Sequence, residues 1–188
     1  METARQLAAS GVTVVLTARN EKRGTEAVSL LHNEGLSNVV FHRLDVVDKH
    51  SIECLVNNAG ASGVVVDEDA LRALNLDPAD WEERIDETLQ KFLRDLKEGA
   101  LEANGWQPML PAYSISKATL NAYTRLLAKK NPSICINCVH PGYVNTDLNW
   151  HTGPLTVEEG AQGPVMLALL PQGGPSGHYF DQTVMAEF

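Results

Sequence analysis

Basic side chains are in short supply. The chain carries 15 Lys and Arg against 24 Asp and Glu, for a formal net charge of −9 and a pI near 5.1. A surface of that sign repels nucleic acid and anionic bilayers, so neither is an expected partner. There is no apolar run long enough to span a bilayer, and no charged-then-apolar leader opens the chain. Cysteine is sparse as well: Cys54, Cys135 and Cys138. That is too few for a disulfide framework, and reduced thiols in a cytoplasmic setting follow. The single candidate glycosylation sequon, at Asn131, is void because Pro132 follows it. Repeats, low-complexity tracts and linkers are all missing, which leaves one domain over residues 1–188.

What is present is an ordinary globular mixture, 44% hydrophobic and 21% charged, enough for a sizeable core. Helical and strand patterns alternate. Residues 2–10 read as a helix stopped by Gly11. Residues 12–17 (VTVVLT) read as a β-branched strand buried on both faces. Asn20 caps a helix to about His32, closed near Gly35. Strand 38–44, a short helical stretch at 48–53 and a third strand from Leu55 follow. An amphipathic helix spans most of 78–104, with Ile85, Leu89, Phe92, Leu93 and Leu96 as its stripe. Helix 113–130, strand 134–139, helix 157–170 and a last strand at 177–180 complete the series. Alternating βα units imply a doubly wound, Rossmann-like parallel sheet flanked by helices.

Cys135 and Cys138 form a C-x-x-C within the strand pattern. Positions three apart on a strand point to opposite faces, so a shared metal is not expected. Tyr113 and Lys117 form Y-x-x-x-K on a helix, where a spacing of four shares one face. A cation beside a phenol favours the phenolate, which suits a proton donor to a carbonyl. Such a pair is also common as a plain surface contact. Asn57, Asn58, Ala59 and Gly60 directly follow a strand, where small residues let a flat ligand approach the backbone. Pro141, Gly142, Val144 and Thr146 form a loop after another strand, whose amides and hydroxyl suit a carboxamide. Either segment alone is also an ordinary turn.

Together, N-N-A-G, then Y-S-I-S-K, then P-G-Y-V-N-T resemble the short-chain dehydrogenase/reductase family. FLRDLKEGAL at 92–101, Gly105-Trp106, NAYTRLLAKK at 121–130, LTVEEG at 155–160 and GGPSG at 173–177 resemble its plant menthone, neomenthol and salutaridine reductase branch, near the animal carbonyl reductases. The resemblance implies an NADP-dependent oxidoreductase interconverting a hydrophobic ketone and a secondary alcohol. It makes Tyr113 the general acid, with Lys117 activating it and bonding the nicotinamide ribose. Thr146 and the Val144 backbone, after Pro141 and Gly142, hold the carboxamide. Asn57, Ala59 and Gly60 line the adenosine side, and Asp45 accepts from the adenine amine; the other reading of Asp45 is an ordinary strand-end acid. Arg19, where NAD binders place an acid, suits the 2′-phosphate of NADP; the other reading is a solvated strand end. Leu148, Asn149, Trp150 and His151 fall where the branch has an apolar lid. The 78–104 helix resembles an insert that covers the usual family interface, which implies a monomer.

The sequence departs from the family in three places. Met1 aligns just after the family's T-G-x-x-x-G-I-G turn, so the first strand and the phosphate-binding turn have no match. The N-V-S-S strand bearing the catalytic serine, with the family's active-site asparagine, has none either. The crossover at 48–53 is barely a turn. The expectation is an incomplete sheet, and an alternative function as a catalytically impaired or non-enzymatic shortened relative.

Overall fold

The computed structural model describes residues 1–44 and 81–187. The short helix at 48–53, the strand from Leu55, and Asp45, Cys54, Asn57, Ala59 and Gly60 lie outside the described residues. The described residues fall into two units, 1–44 with 144–165 and 81–143 with 166–187. Each is α/β and is taken by itself.

The first unit opens with α1 (Glu2–Ala9). Its end is set by Gly11, whose φ of +83° is the left-handed conformation glycine adopts without a Cβ penalty. The Gly11 and Val12 amides return to the Ala8 and Leu7 carbonyls at 3.0 and 3.2 Å. Strand β1 (Val14–Ala18) pairs in parallel with β2 (Val39–Arg43), Val14 opposite Val39 and Ala18 opposite Arg43. Between them runs α2 (Glu21–Asn33), capped by Asn20, whose Oδ1 accepts from the Arg23 amide at 3.0 Å.

Leu31 and Val39, both fully buried, centre the core with Ala8 and Val28, and Val14, Leu16, Leu36 and Phe41 pack around them. Helix α2 lies close on the sheet because residue 24 is glycine. A Cβ there would meet the Phe41 ring at 2.0 Å. Asn38 ties the pieces, its Nδ2 donating to the Ala8 and Val12 carbonyls at 2.9 and 2.6 Å. The expectation of a strand buried on both faces is corrected here. Val15 is 57% exposed and its ladder neighbour Val40 49%. Among the described residues the helices cover only the Val14–Leu16 face, and burial alternates along β1.

In the second unit, α3 (Trp81–Glu98) and α4 (Pro111–Lys130) pack together, joined at one end by a Lys130–Glu82 ion pair at 2.6 Å. Helix α3 is shorter than the 78–104 pattern because the chain turns at Gly99, φ +69°. Its buried stripe matches the expected apolar one only in part. Ile85 and Phe92 are buried, but Leu93 and Leu96 are exposed and Asp95 takes the inner position. Asp95 is satisfied there by the Trp106 indole N–H at 2.7 Å and by Lys91 at 3.0 Å. Trp106 also meets Phe92 edge-on at 5.2 Å, and the Lys91 ammonium lies 4.8 Å from its ring centre. This box folds the 99–106 turn back onto α3.

Strand β3 (Cys138–His140) pairs in parallel with β4 (Tyr179–Asp181), and β4 pairs antiparallel with β5 (Val184–Ala186). The expected strand 134–139 shrinks to its end. Upstream, side chains supplement one backbone bond, from the Gly177 amide to the Ile136 carbonyl at 2.8 Å: Asn137 bridges the Pro175 carbonyl and the His178 amide, and Ser176 Oγ joins the Ile136 amide to the Ile134 carbonyl. Helix α5 (Val157–Ala168) begins in the first unit, where Gly160 seats the Val144 side chain.

Candidate active site

Helix α4 carries the Tyr113–Lys117 pair. Pro111 starts it in the first turn, where the missing N–H leaves no bond unmade, and Leu110 precedes it in the left-handed region at φ 51°. Both side chains are half-buried, one turn apart on one face. The Lys117 ammonium lies 5.5 Å from the centre of the Tyr113 ring. The charge therefore stands over the π face, within cation–π range.

Beside them, Ser114 Oγ and Asn121 Oδ1 are buried with no hydrogen-bond partner among the described residues. They lie two turns apart on the helix, hence on one face. An unpaired buried polar atom costs about 1–3 kcal/mol.

The loop after β3 turns at Gly142, φ +84°, with Pro141 before it, both half-buried. In the first unit the rest of the loop is held on three sides. Val144 bridges to Leu155, and the Asn145 amide donates to the Leu155 carbonyl at 2.8 Å. Val144 packs against Gly160, where a Cβ would lie 2.4 Å from its Cγ2. The Asn149 side chain receives the Thr146 amide at 3.2 Å and donates to the Val144 carbonyl at 2.7 Å. Leu148 and Trp150 stand 91% and 87% exposed on the following turn.

Arg19 is exposed at the end of β1, immediately before the Asn20 cap. It forms no ion pair among the described residues. Arg43 stands opposite Ala18 in the ladder, so two guanidinium groups share one end of this sheet. The sequence reading missed Arg43; its signal was a basic residue at the end of the second strand.

The described residues thus bring together Tyr113 with Lys117, and Val144 with Thr146. Asp45, Asn57, Ala59 and Gly60 lie outside them. Cys135 Sγ faces the Gly174 and Pro171 carbonyls and Cys138 Sγ the His178 carbonyl. Burial pushes the Cys138 thiol up to about 11, against the pull of Arg125. Among the described residues no helix is long and apolar enough to cross a membrane.

No protein-family profile matches the chain. It is 36% identical to Short-chain dehydrogenase/reductase 1 of Saponaria officinalis, covering 100% of this chain and 92% of that one. The chain belongs to the short-chain dehydrogenase/reductase family. A second member, (+)-neomenthol dehydrogenase of Arabidopsis thaliana, is 35% identical, with 100% and 93% covered. The solved structure of salutaridine reductase from Papaver somniferum superposes with a TM-score of 0.77 at 32% identity, over 96% of this chain and 94% of that one. These relatives share a Rossmann-type fold with this short-chain dehydrogenase/reductase. The Saponaria alignment runs over 277 positions while this chain has 188 residues, so about 89 positions of the relative face gaps.

Proposed function

We propose that this chain is an NADP(H)-dependent oxidoreductase of the CH–OH class, interconverting a hydrophobic ketone and its secondary alcohol. The observation that carries the reading is the Tyr113–Lys117 pair, half-buried on one helix face with the ammonium 5.5 Å from the ring centre. Relatives named neomenthol dehydrogenase, salutaridine reductase and carbonyl reductase [NADPH] support the class.

The donor set fits the cofactor. Arg19 offers an exposed guanidinium suited to a 2′-phosphate, and Arg43 adds charge at the same sheet end. Lys117 suits a ribose hydroxyl. Thr146 and the Val144 backbone suit a carboxamide, with Pro141 and Gly142 shaping their loop. Asp45, Asn57, Ala59 and Gly60 complete the set by their place in the sequence. Bound NADPH supplies a hydride. The Tyr113 hydroxyl gives the carbonyl oxygen its proton, and Lys117 keeps positive charge beside the phenol as that proton leaves. Leu148 and Trp150 present apolar surface to a hydrophobic substrate.

A second reading, an impaired shortened relative, is favoured by two observations. About 89 positions of the Saponaria relative have no counterpart here. Two buried polar atoms on α4 also lack partners among the described residues. Removing one oxyanion-type donor, as the missing serine would be, lowers rates by about a hundred- to a thousand-fold. Calorimetry with NADPH and a turnover assay on hydrophobic ketones separate the two. Micromolar binding with reduction abolished by Tyr113→Phe establishes the enzyme. Weak binding without turnover establishes the impaired relative.

A further inference from the structure

The Asn149 side chain closes a ring with the backbone three and five residues before it. Its Nδ2 donates to the Val144 carbonyl at 2.7 Å, and its Oδ1 accepts from the Thr146 amide at 3.2 Å. Between those groups, the Asn145 amide is fixed on the Leu155 carbonyl at 2.8 Å. Three consecutive residues therefore have backbone polar groups tied to named partners. Asn149 is itself placed by the 3-10 turn Asp147–Asn149, with its amide returning to the Thr146 carbonyl at 3.2 Å.

We propose that Asn149 is a positioning residue for the nicotinamide carboxamide. This rests on the reading above, in which Val144 and Thr146 receive that group. A primary amide needs a donor and an acceptor at set positions, and a loop that must order on binding loses affinity to entropy. Asn149 makes that ordering in advance. A carbonyl oxygen has two lone pairs, so Val144 keeps one for a ligand while Asn149 holds the other and aims the group. Binding the Thr146 amide likewise fixes the backbone of the residue that the reading above assigns to the carboxamide. Asn149 touches neither hydride nor proton; it acts through Val144 and Thr146.

The prediction is a split between the two ends of the cofactor. In Asn149→Ala, NADPH affinity falls about tenfold, the effect of losing roughly one hydrogen bond's worth of ordering. Affinity for 2′,5′-ADP, which lacks the nicotinamide, stays within about twofold. The 3-acetylpyridine analogue, whose ketone cannot donate, loses less than NADPH does. Hydrogen exchange at the Thr146 amide speeds up in the free variant, and Asn149→Asp, which keeps the acceptor, restores its protection in part. Equal loss of NADPH and 2′,5′-ADP, or loss of neither, overturns the proposal while leaving the cofactor reading intact. An unaltered chain that binds neither probe overturns both.

Discussion

Replacing Gly24 with alanine tests how tightly α2 is held on the sheet, and the sign of its effect is set by one neighbour. On an open helix surface the change stabilises by up to about 1 kcal/mol, because alanine is the better helix former. Here the new Cβ would sit 2.0 Å from Phe41 Cε2 and 2.5 Å from two more ring atoms. No real contact is that short, so either the ring swings out of the Val28–Leu31–Val39 core or the helix lifts away. Overpacking of this kind costs about 1–3 kcal/mol, which outweighs the propensity gain. A net loss of about 1–2 kcal/mol follows, and each kcal/mol lowers the melting midpoint by about 2–4 °C at this size. In a Phe41→Leu background the ring atoms are gone, and the same substitution should turn neutral or stabilising. Urea unfolding followed by circular dichroism on the four chains of that cycle gives the coupling. Gly24→Ala costing the same with and without the Phe41 ring refutes the reasoning, since the clash would then not be its cause.

Three further perturbations probe other parts. Arg19→Ala should weaken NADPH about fivefold or less, the reach of an exposed charge contact, while leaving NADH unchanged in parallel titrations. Cys138, its thiol pushed up to about 11 by burial, should resist alkylation at pH 8 while half-buried Cys135 reacts; peptide-resolved mass spectrometry reads both, and faster labelling of Cys138 contradicts the burial argument. The Asp95 carboxyl is held below the usual carboxylate range, first by the Trp106 indole and then by Lys91. Its contribution is therefore complete above the ordinary aspartate value of about 3.9 and is lost as pH falls through the lower folded value. Stability measured from pH 7 down to 2 should show a shallower acid limb in Asp95→Asn, and superimposable limbs count against it.

The parts legible in the sequence were those that local chemistry decides. Gly11 ends α1 and Asn20 caps α2 because a left-handed turn and a first-turn amide need only near neighbours. The Y-x-x-x-K spacing placed Tyr113 and Lys117 on one face for the same reason. Parallel pairing of the first two strands followed from the alternation around α2. The rest depended on partners distant in sequence or on backbone detail. An aspartate inside α3 in place of Leu93 and Leu96 is intelligible only once Trp106 is known to reach back to it. Strand β5 follows a turn at Gln182, φ 56°, with no glycine to announce it. Ahead of strand β3 the Asn137 and Ser176 side chains share the bonding with the backbone, and no periodicity reports that. Asn149 read as part of a lid, since nothing in N-T-D-L-N says that its amide turns back on Val144.

The first unit is assembled from two stretches that leave the ribosome far apart in time. Residues 1–44 hold a complete β1–α2–β2 crossover, a nearby pairing that forms fast once its second strand is free. Its remaining wall arrives about a hundred residues later, when Gln6 Nε2 finds the Glu158 carbonyl at 3.1 Å and Val144 settles on Gly160. Until then the early half waits with α1 lacking that contact. Any chain stopped short of residue 158 remains in that state.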